Sequence, residues 1–320
     1  MPFTTCASSS NDHTGSRTFD SFLGPAHRRY FGTGYRRTSY VLEGLELVGD
    51  VLNAYANVSY SADWSQKAGV ARVPHLSTID AAILAAGMSE TYLASTLPLS
   101  VNVLRNAWIE RFTIRAGTTP LDTTRAVPLS SSLSARSMGK KNDVRTVLTH
   151  RIGPMRVVTA VRHSAAGPLR KTPSPCPTQP HIDSHRENRH DGRVLWLEAE
   201  RGRLLCSLDL HAESGPTTGL EAAYRPSATF VDALVLAGQM AQILLYARQN
   251  VDRDMTPNLW MRHVSINRRI PRDSAAFTTT ESCMRVVSDR VVAVDRQEFH
   301  SVNVTVPDLF GFAIESAVAL

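Results

Sequence analysis

The chain has 320 residues, 42% hydrophobic and 20% charged, with a formal net charge of +6. That length suits two domains of ordinary size, and the apolar content suffices for a packed core in each, which excludes a disordered or low-complexity chain. The basic excess is Arg-rich and scattered, with no Lys/Arg stripe interleaved with aromatics. Nucleic acid is therefore not an expected partner; a solvated basic surface and attraction of an anionic substrate or carrier protein are the two readings that remain.

Met1 to Arg17 is rich in Ser, Thr and Asn and has no apolar run of the signal-peptide kind. Residues 1–18 are expected to be a disordered tail, and the chain to be cytoplasmic. Four cysteines, Cys6, Cys176, Cys206 and Cys283, lie far apart without Cys-x-x-Cys spacing, which argues against a zinc ribbon or a disulfide framework and for a reducing compartment.

Order is expected from Phe19. The run to Arg37 is dense in aromatics, glycines and arginines. Gly32-Thr-Gly34 follows no strand and lacks a third glycine, so no dinucleotide cofactor is implied. Either Phe22, Tyr30, Phe31 and Tyr35 clamp this loop to the body, or Arg36 or Arg37 grips a phosphate or carboxylate. Strands are predicted at Thr38–Val48 and Val51–Tyr60, a buried helix from Ser77 to about Ser95, then strands at Trp108–Arg115, Val144–His150 and Met155–Arg162. Residues 163–192 carry five prolines with His181, His185 and His190, and read as a linker or long loop; no Cys or Glu pattern supports a metal there. A hairpin turning at Arg201-Gly202 follows, then a helix over Ser227–Arg248 and strands at Trp260–Arg268, Ala276–Val287 and Val291–Val306. The apolar C-terminus, Leu309–Leu320, is expected to dock as a strand or short helix.

The second helix is apolar over most of its circumference, but its stretch of about 16 mostly apolar residues, interrupted by Asp232, Gln239 and Gln242, is too short and too polar to span a bilayer. It also repeats the first. At an offset of 152 positions (232 − 80 = 152), Pro74, Ser77, Asp80, Leu84 and Met88 fall on Pro226, Thr229, Asp232, Leu236 and Met240. Without a gap the same offset pairs Asn106 with Asn258, Trp108 with Trp260 and Ile114 with Ile266, in a chain with four tryptophans. The chain is an internal duplication whose period is too long for a solenoid. The expected units are residues 19–162 and 193–320, joined by 163–192.

Such runs allow an α+β arrangement: two curved antiparallel sheets, each wrapping one long central helix, a tandem (double) hotdog. His75-Leu-Ser-Thr-Ile-Asp80-Ala-Ala resembles the helix start of polyketide synthase dehydratase domains, and Val235 through Gln242 resembles the helix of acyl-thioester hotdogs and of the A-factor synthase family. The histidine motif of the dehydratases is not found. The helical glutamate of A-factor and fatty-acid dehydratase helices is replaced by Gly238 or Gln239. A broader resemblance lies in Phe22-Leu-Gly-Pro25-Ala and Tyr30-Phe-Gly-x-Gly34-Tyr35-Arg36-Arg37, which look like the opening of avirulence D (AvrD) proteins. Such proteins are linked to syringolide-type acyl glycosides, so the resemblance implies acyl transfer or condensation of a β-ketoacyl thioester with a pentulose-like acceptor. The implied partners are an acyl-CoA or acyl carrier protein thioester and a sugar-like acceptor; the sequence leaves open whether a second copy of the chain, as a homodimer, is a partner too.

The chemistry of the residues points to the helix starts. An N-terminal turn can polarise a carbonyl, and an acid in that turn can take a proton. Asp80 and Asp232 hold that position, with His75 upstream of Asp80. Met88, Met240, Leu84 and Leu236 are the expected lining of an acyl tunnel. Trp108, Trp260, Asn106, Asn258 and His263 are candidate substrate contacts, the tryptophans and asparagines alternatively strand-start packing. Ser77-x-x-Asp80 and Thr229-x-x-Asp232 also satisfy the capping box, which needs no catalysis. An enzyme requires an ionisable group reaching the tunnel. A non-catalytic acyl or small-molecule binder would engage both aspartates only with their own helix.

Overall fold

The computed structural model describes residues 16–97, 99–117, 121–165, 184–212, 219–256, 259–269, 277–294 and 297–319. In chain order come β1 (Arg17–Thr18), α1 (Phe19–Leu23), the hairpin β2 (Ser39–Val48) and β3 (Val51–Ser59), and a minimal hairpin β4 (Gln66–Lys67) and β5 (Val70–Ala71). Then follow α2 (Thr78–Thr96), α3 (Val101–Asn106), β6 (Trp108–Arg115), β7 (Val127–Met138), β8 (Asp143–Ile152) and β9 (Met155–Ser164). The second half holds β10 (Arg189–Glu198), β11 (Arg203–His211), α4 (Phe230–Gln249), β12 (Trp260–Arg268), β13 (Phe277–Val294), β14 (Gln297–Leu309) and β15 (Phe312–Ala319).

Thirteen strands form one antiparallel sheet in the order β1-β10-β11-β13-β14-β15-β12-β6-β9-β8-β7-β3-β2. The halves meet where β12 pairs with β6. There Thr113 pairs with Ser265, residues 152 apart (265 − 113 = 152), so the local two-fold axis of the duplication passes through this pair. β3 and β11 match residue for residue at the same offset, as do the starts of α2 and α4. The fold is a double hotdog. Inward residues alternate along β3 and β11, as a sheet with one wet face requires, and α2 and α4 fill its concave side against each other. One core spans both halves: the Phe112 ring of β6 stacks on Phe230 at the start of α4, centroids 4.8 Å apart.

α4 is 20 residues long and, against the expectation that it is too short and polar, could cross a membrane by length and composition; here 89% of its apolar window is buried in the fold. Both helices begin on complete capping boxes, Ser77 with Asp80 and Thr229 with Asp232. Other boundaries depart from expectation. β13 continues unbroken to Val294, and β10 starts at Arg189 inside the expected linker. β7 was not anticipated: only Val127, Leu129 and Ser131 point inward before it becomes exposed, so the strand exists through its pairing with β3 and β8 rather than its own pattern. Cys283 is disulfide-bonded, against the expectation of no disulfide framework.

Residues 19–37, which the sequence assigns to the first copy, dock on the second as well, and so do Arg17 and Thr18 of the expected tail. Arg17 pairs with Val194, and the Phe19 ring packs on Gly192, where any side chain would collide with it. Phe31 lies against Gly238 of α4, and Arg29 donates to Gln239 Oε1 at 2.7 Å. The two helix positions that lack the A-factor-type glutamate thus receive the N-terminal segment.

Candidate functional site

Each helix start carries a fully buried aspartate with far more than a capping role. Asp80 Oδ1 accepts from the hydroxyls of Tyr30 (2.6 Å) and Tyr40 (2.7 Å); Oδ2 accepts from Tyr60 (2.6 Å) and the Ser77 amide (2.7 Å). Four donors fill the acceptor positions a carboxylate has. Burial first, and the adjacent carboxylate second, push all three phenols above the ordinary tyrosine range, so they stay protonated.

Asp232 is held by different donors. Oδ1 accepts from His190 Nε2 at 2.8 Å; Oδ2 accepts from Asn188 Nδ2 (2.6 Å) and from the Thr229 amide (2.7 Å) and hydroxyl (2.8 Å). Burial raises its pKa, but His190, the Thr229 amide and Asn188 outweigh it and hold the group at about 2. Tyr35 stacks on the His190 ring at 6.5 Å. One short segment therefore supplies Tyr30 to the first site and Tyr35 to the second.

The two cavities beside the helix starts obey the same two-fold relation. The first, an open cleft of about 690 Å³ with its mouth included, lies between Ser77 at the start of α2 and Gln242 on α4. The second, about 400 Å³, lies between Thr229 at the start of α4 and Glu90 on α2. Both pairs are 152 apart (229 − 77; 242 − 90). The cleft is walled by Phe31, Trp64 and Tyr246, floored by Tyr30, and carries four cations, Arg29, Lys67, Arg72 and Arg253, with no acid among its lining residues. The second cavity is mostly apolar and carries Glu90 and Glu221 beside Arg225. Glu221 accepts from the Ile109 amide at 2.8 Å and pairs with Arg268 at 3.1 Å, tying the halves together.

His75 lines the cleft, its ring edge-on to Trp64 at 5.7 Å. Asp80 and Asp232 line neither cavity: Tyr30 stands between the first and the cleft, and Tyr35 and His190 cover the second. Arg36 and Arg37 do not line the cavities either, contrary to their expected role. Arg36 lies over the Tyr35 ring and donates to its hydroxyl, while Arg37 donates to Thr33, Ser61 and the carbonyls of His27 and Asp63. Met88 and Met240, with Leu84 and Leu236, are fully buried packing under the helices and line no tunnel beside these sites. Trp108 and half-exposed Trp260 stand at strand starts, and Asn106 donates to the Asn102 carbonyl. His263 sits on β12 away from both cavities, its pKa lowered by burial and then Arg115; Asn258 lies outside the described residues. The sequence reading did not single out Tyr40, Tyr60, Trp64, Lys67, Arg72 or Arg253 for the first site, or Asn188 and His190 as partners of Asp232. The inward alternation of Tyr40 and His190 on their strands was the one available signal.

A sequence model of a family described as Pseudomonas avirulence D protein (AvrD) matches residues 15–191 and 197–320. The chain belongs to the AvrD family. Among solved structures, this AvrD-family chain is similar to a tesB protein of Mycobacterium avium subsp. paratuberculosis (12% identity, TM-score 0.42, 86% of this chain and 95% of that one). An acyl-CoA thioesterase II of Mycobacterium marinum (11%, 0.38, 87% and 93%) and a putative MaoC domain dehydratase of Chloroflexus aurantiacus (10%, 0.40, 75% and 81%) are also similar. No curated protein matches the chain.

Proposed function

We propose that this AvrD-family protein transfers an acyl group from a β-ketoacyl thioester, carried on CoA or an acyl carrier protein, to a hydroxyl of a sugar-like acceptor, and that it does so in the cleft at the start of α2. The observation that carries this reading is the cleft's composition: aromatic walls for an acyl chain, a cationic side for an anionic substrate, and His75 between them. His75 is the general base, since its imidazole lines the cleft where an acceptor hydroxyl would bind. It accepts the acceptor's hydroxyl proton as the oxygen bonds to the thioester carbonyl carbon; the carbon–sulfur bond then breaks, and the imidazolium returns the proton to the departing sulfur. Tyr30, whose hydroxyl donates its hydrogen bond to Asp80, presents its ring at the cleft floor. Asp80 positions Tyr30, Tyr40 and Tyr60 and touches no substrate.

The test uses the purified full chain with a β-ketoacyl-CoA and a pentulose, reading thiol release and, by mass spectrometry, the acylated sugar. His75→Asn should lower kcat by about 10²–10⁴-fold with an unchanged melting temperature. Thiol release without acylated sugar would identify a thioesterase instead. The saturated hydrogen bonding of Asp80 favours a second reading, a non-catalytic acyl binder. Acyl-CoA binding with no turnover in wild type would select it.

A further inference from the structure

The cleft's cations do not balance. Arg29 is paired with Asp20 at 2.5 Å and Arg253 with Asp254 at 3.2 Å, whereas Lys67 and Arg72 have no ion pair among the described residues. Lys67 is nearly buried and its ammonium lies against the Thr256 carbonyl. Burial first, then the charges of Arg253 and Arg72, hold its pKa below the ordinary lysine value, with Asp254 and Asp252 opposing. Arg29, 3% exposed, keeps a buried Nε donor without a partner. Two uncompensated positive charges thus face an open cleft with no acid among its described lining residues. A phosphomonoester carries about −1.5 to −2 charges at pH 7 and three acceptor oxygens, which matches that deficit. A single carboxylate would leave one charge unmet.

We propose that the wall formed by Arg29, Lys67, Arg72 and Arg253 binds a phosphomonoester group of a small-molecule substrate. This deepens the acyl-transfer reading, on which it rests for the nature of the substrates. The group comes either from a phosphorylated sugar-like acceptor or from the 3′-phosphate of a CoA carrier. His75 stands on the same cleft, so a phosphate on this wall anchors one end of the substrate while another hydroxyl or carbonyl reaches the imidazole.

The test is calorimetric titration of the full chain with inorganic phosphate, a pentulose, its 5-phosphate, CoA and dephospho-CoA. A phosphorylated probe should bind at least about tenfold more tightly than its unphosphorylated counterpart, inorganic phosphate should compete with it, and added salt should weaken it. Preference for the pentulose phosphate assigns the group to the acceptor; preference for CoA over dephospho-CoA assigns it to the carrier. Arg72→Gln, at an exposed position, and Lys67→Met should each remove about tenfold of that preference. Should Lys67→Met fail to fold, Arg72→Gln decides alone. Equal binding within both probe pairs, or a folded Arg72→Gln protein that keeps the whole preference, overturns the proposal. Since only binding is read, a protein that prefers the phosphorylated probe yet transfers no acyl group sinks the transfer reading and leaves this one standing.

Discussion

Asp232→Asn removes a buried charge whose worth follows from its surroundings. In the folded chain the carboxyl is held at about 2, against 3.8 for a free aspartate, because His190, the Thr229 amide and Asn188 outweigh the penalty of burial. The folded value lies below the unfolded one, so the stabilisation is complete above about pH 4 and is lost as pH falls toward 2. A gap of about 1.8 pH units (3.8 − 2) corresponds to roughly 2 kcal/mol. Asparagine keeps the shape of the side chain and still caps a helix, so the variant should fold. Urea unfolding of wild type and Asp232→Asn, measured from about pH 6 down to pH 3, should give curves that converge as acid is added, the wild type losing about half of that stabilisation by pH 3. Parallel curves would refute the buried-carboxylate account and leave Asp232 an ordinary cap worth about 1 kcal/mol at any pH.

His150 gives a slope at higher pH. Burial alone pushes it to about 3, and it is hydrogen-bonded to Ser131, Ser89 and Thr159. Stability from this neutral histidine is present above pH 6.5 and lost on acidification at about 1.4 kcal/mol per pH unit, a slope that His150→Gln should abolish between about pH 6 and pH 4; an unchanged slope contradicts it. Gly238→Ala would place a methyl group 2.6 Å from Phe31 Cδ1. It should cost about 1–3 kcal/mol and speed tryptic cleavage at Arg28, Arg29, Arg36 or Arg37, with Phe31→Ala restoring part of the stability in the double variant. Cleavage at the wild-type rate would show that this segment does not depend on α4.

The fold was legible because the duplication preserved what packing needs. The capped, all-apolar helices and the strand-start tryptophans survive at a fixed offset, and the offset itself lands on the Thr113–Ser265 pair that joins the two halves. The cleft was not legible. Its walls come from Arg29 and Phe31, from the β4–β5 hairpin around Lys67 and Arg72, and from Gln242, Tyr246 and Arg253 of the other copy. Residues separated by more than 200 positions in a duplicated chain leave no local spacing to read. Arg36 and Arg37 differ for the opposite reason: adjacent arginines among glycines look like an anion grip, yet Arg36 is spent on the Tyr35 hydroxyl and Arg37 on hydroxyls and carbonyls of Thr33, His27, Ser61 and Asp63.

A uniform offset also hides how the copies diverged. Tyr40 pairs with Val58 and His190 with Leu210. Val58 and Leu210 are 152 apart, but Tyr40 and His190 are 150 apart. The hairpin loop of the second copy, Ala199–Gly202, is two residues longer than Gly49–Asp50, and the shift is absorbed before the aspartate is reached. Tyr40 and His190 are therefore structural equivalents, each donating to the aspartate at its own helix start. One copy surrounds that carboxylate with phenols and opens beside a cationic cleft; the other pairs it with an imidazole and closes it beneath Tyr35. A binding protein gains nothing from two such different surroundings for one cap. An enzyme with a single working site does, because the second copy is released to anchor the segment that delivers Tyr30 and Arg29 to the first. On this argument Phe19→Ala, which loosens that segment from the second copy at Gly192 without altering the cleft's lining, should lower acyl transfer to the acceptor. Equal turnover in Phe19→Ala and wild type would show the two sites to be independent.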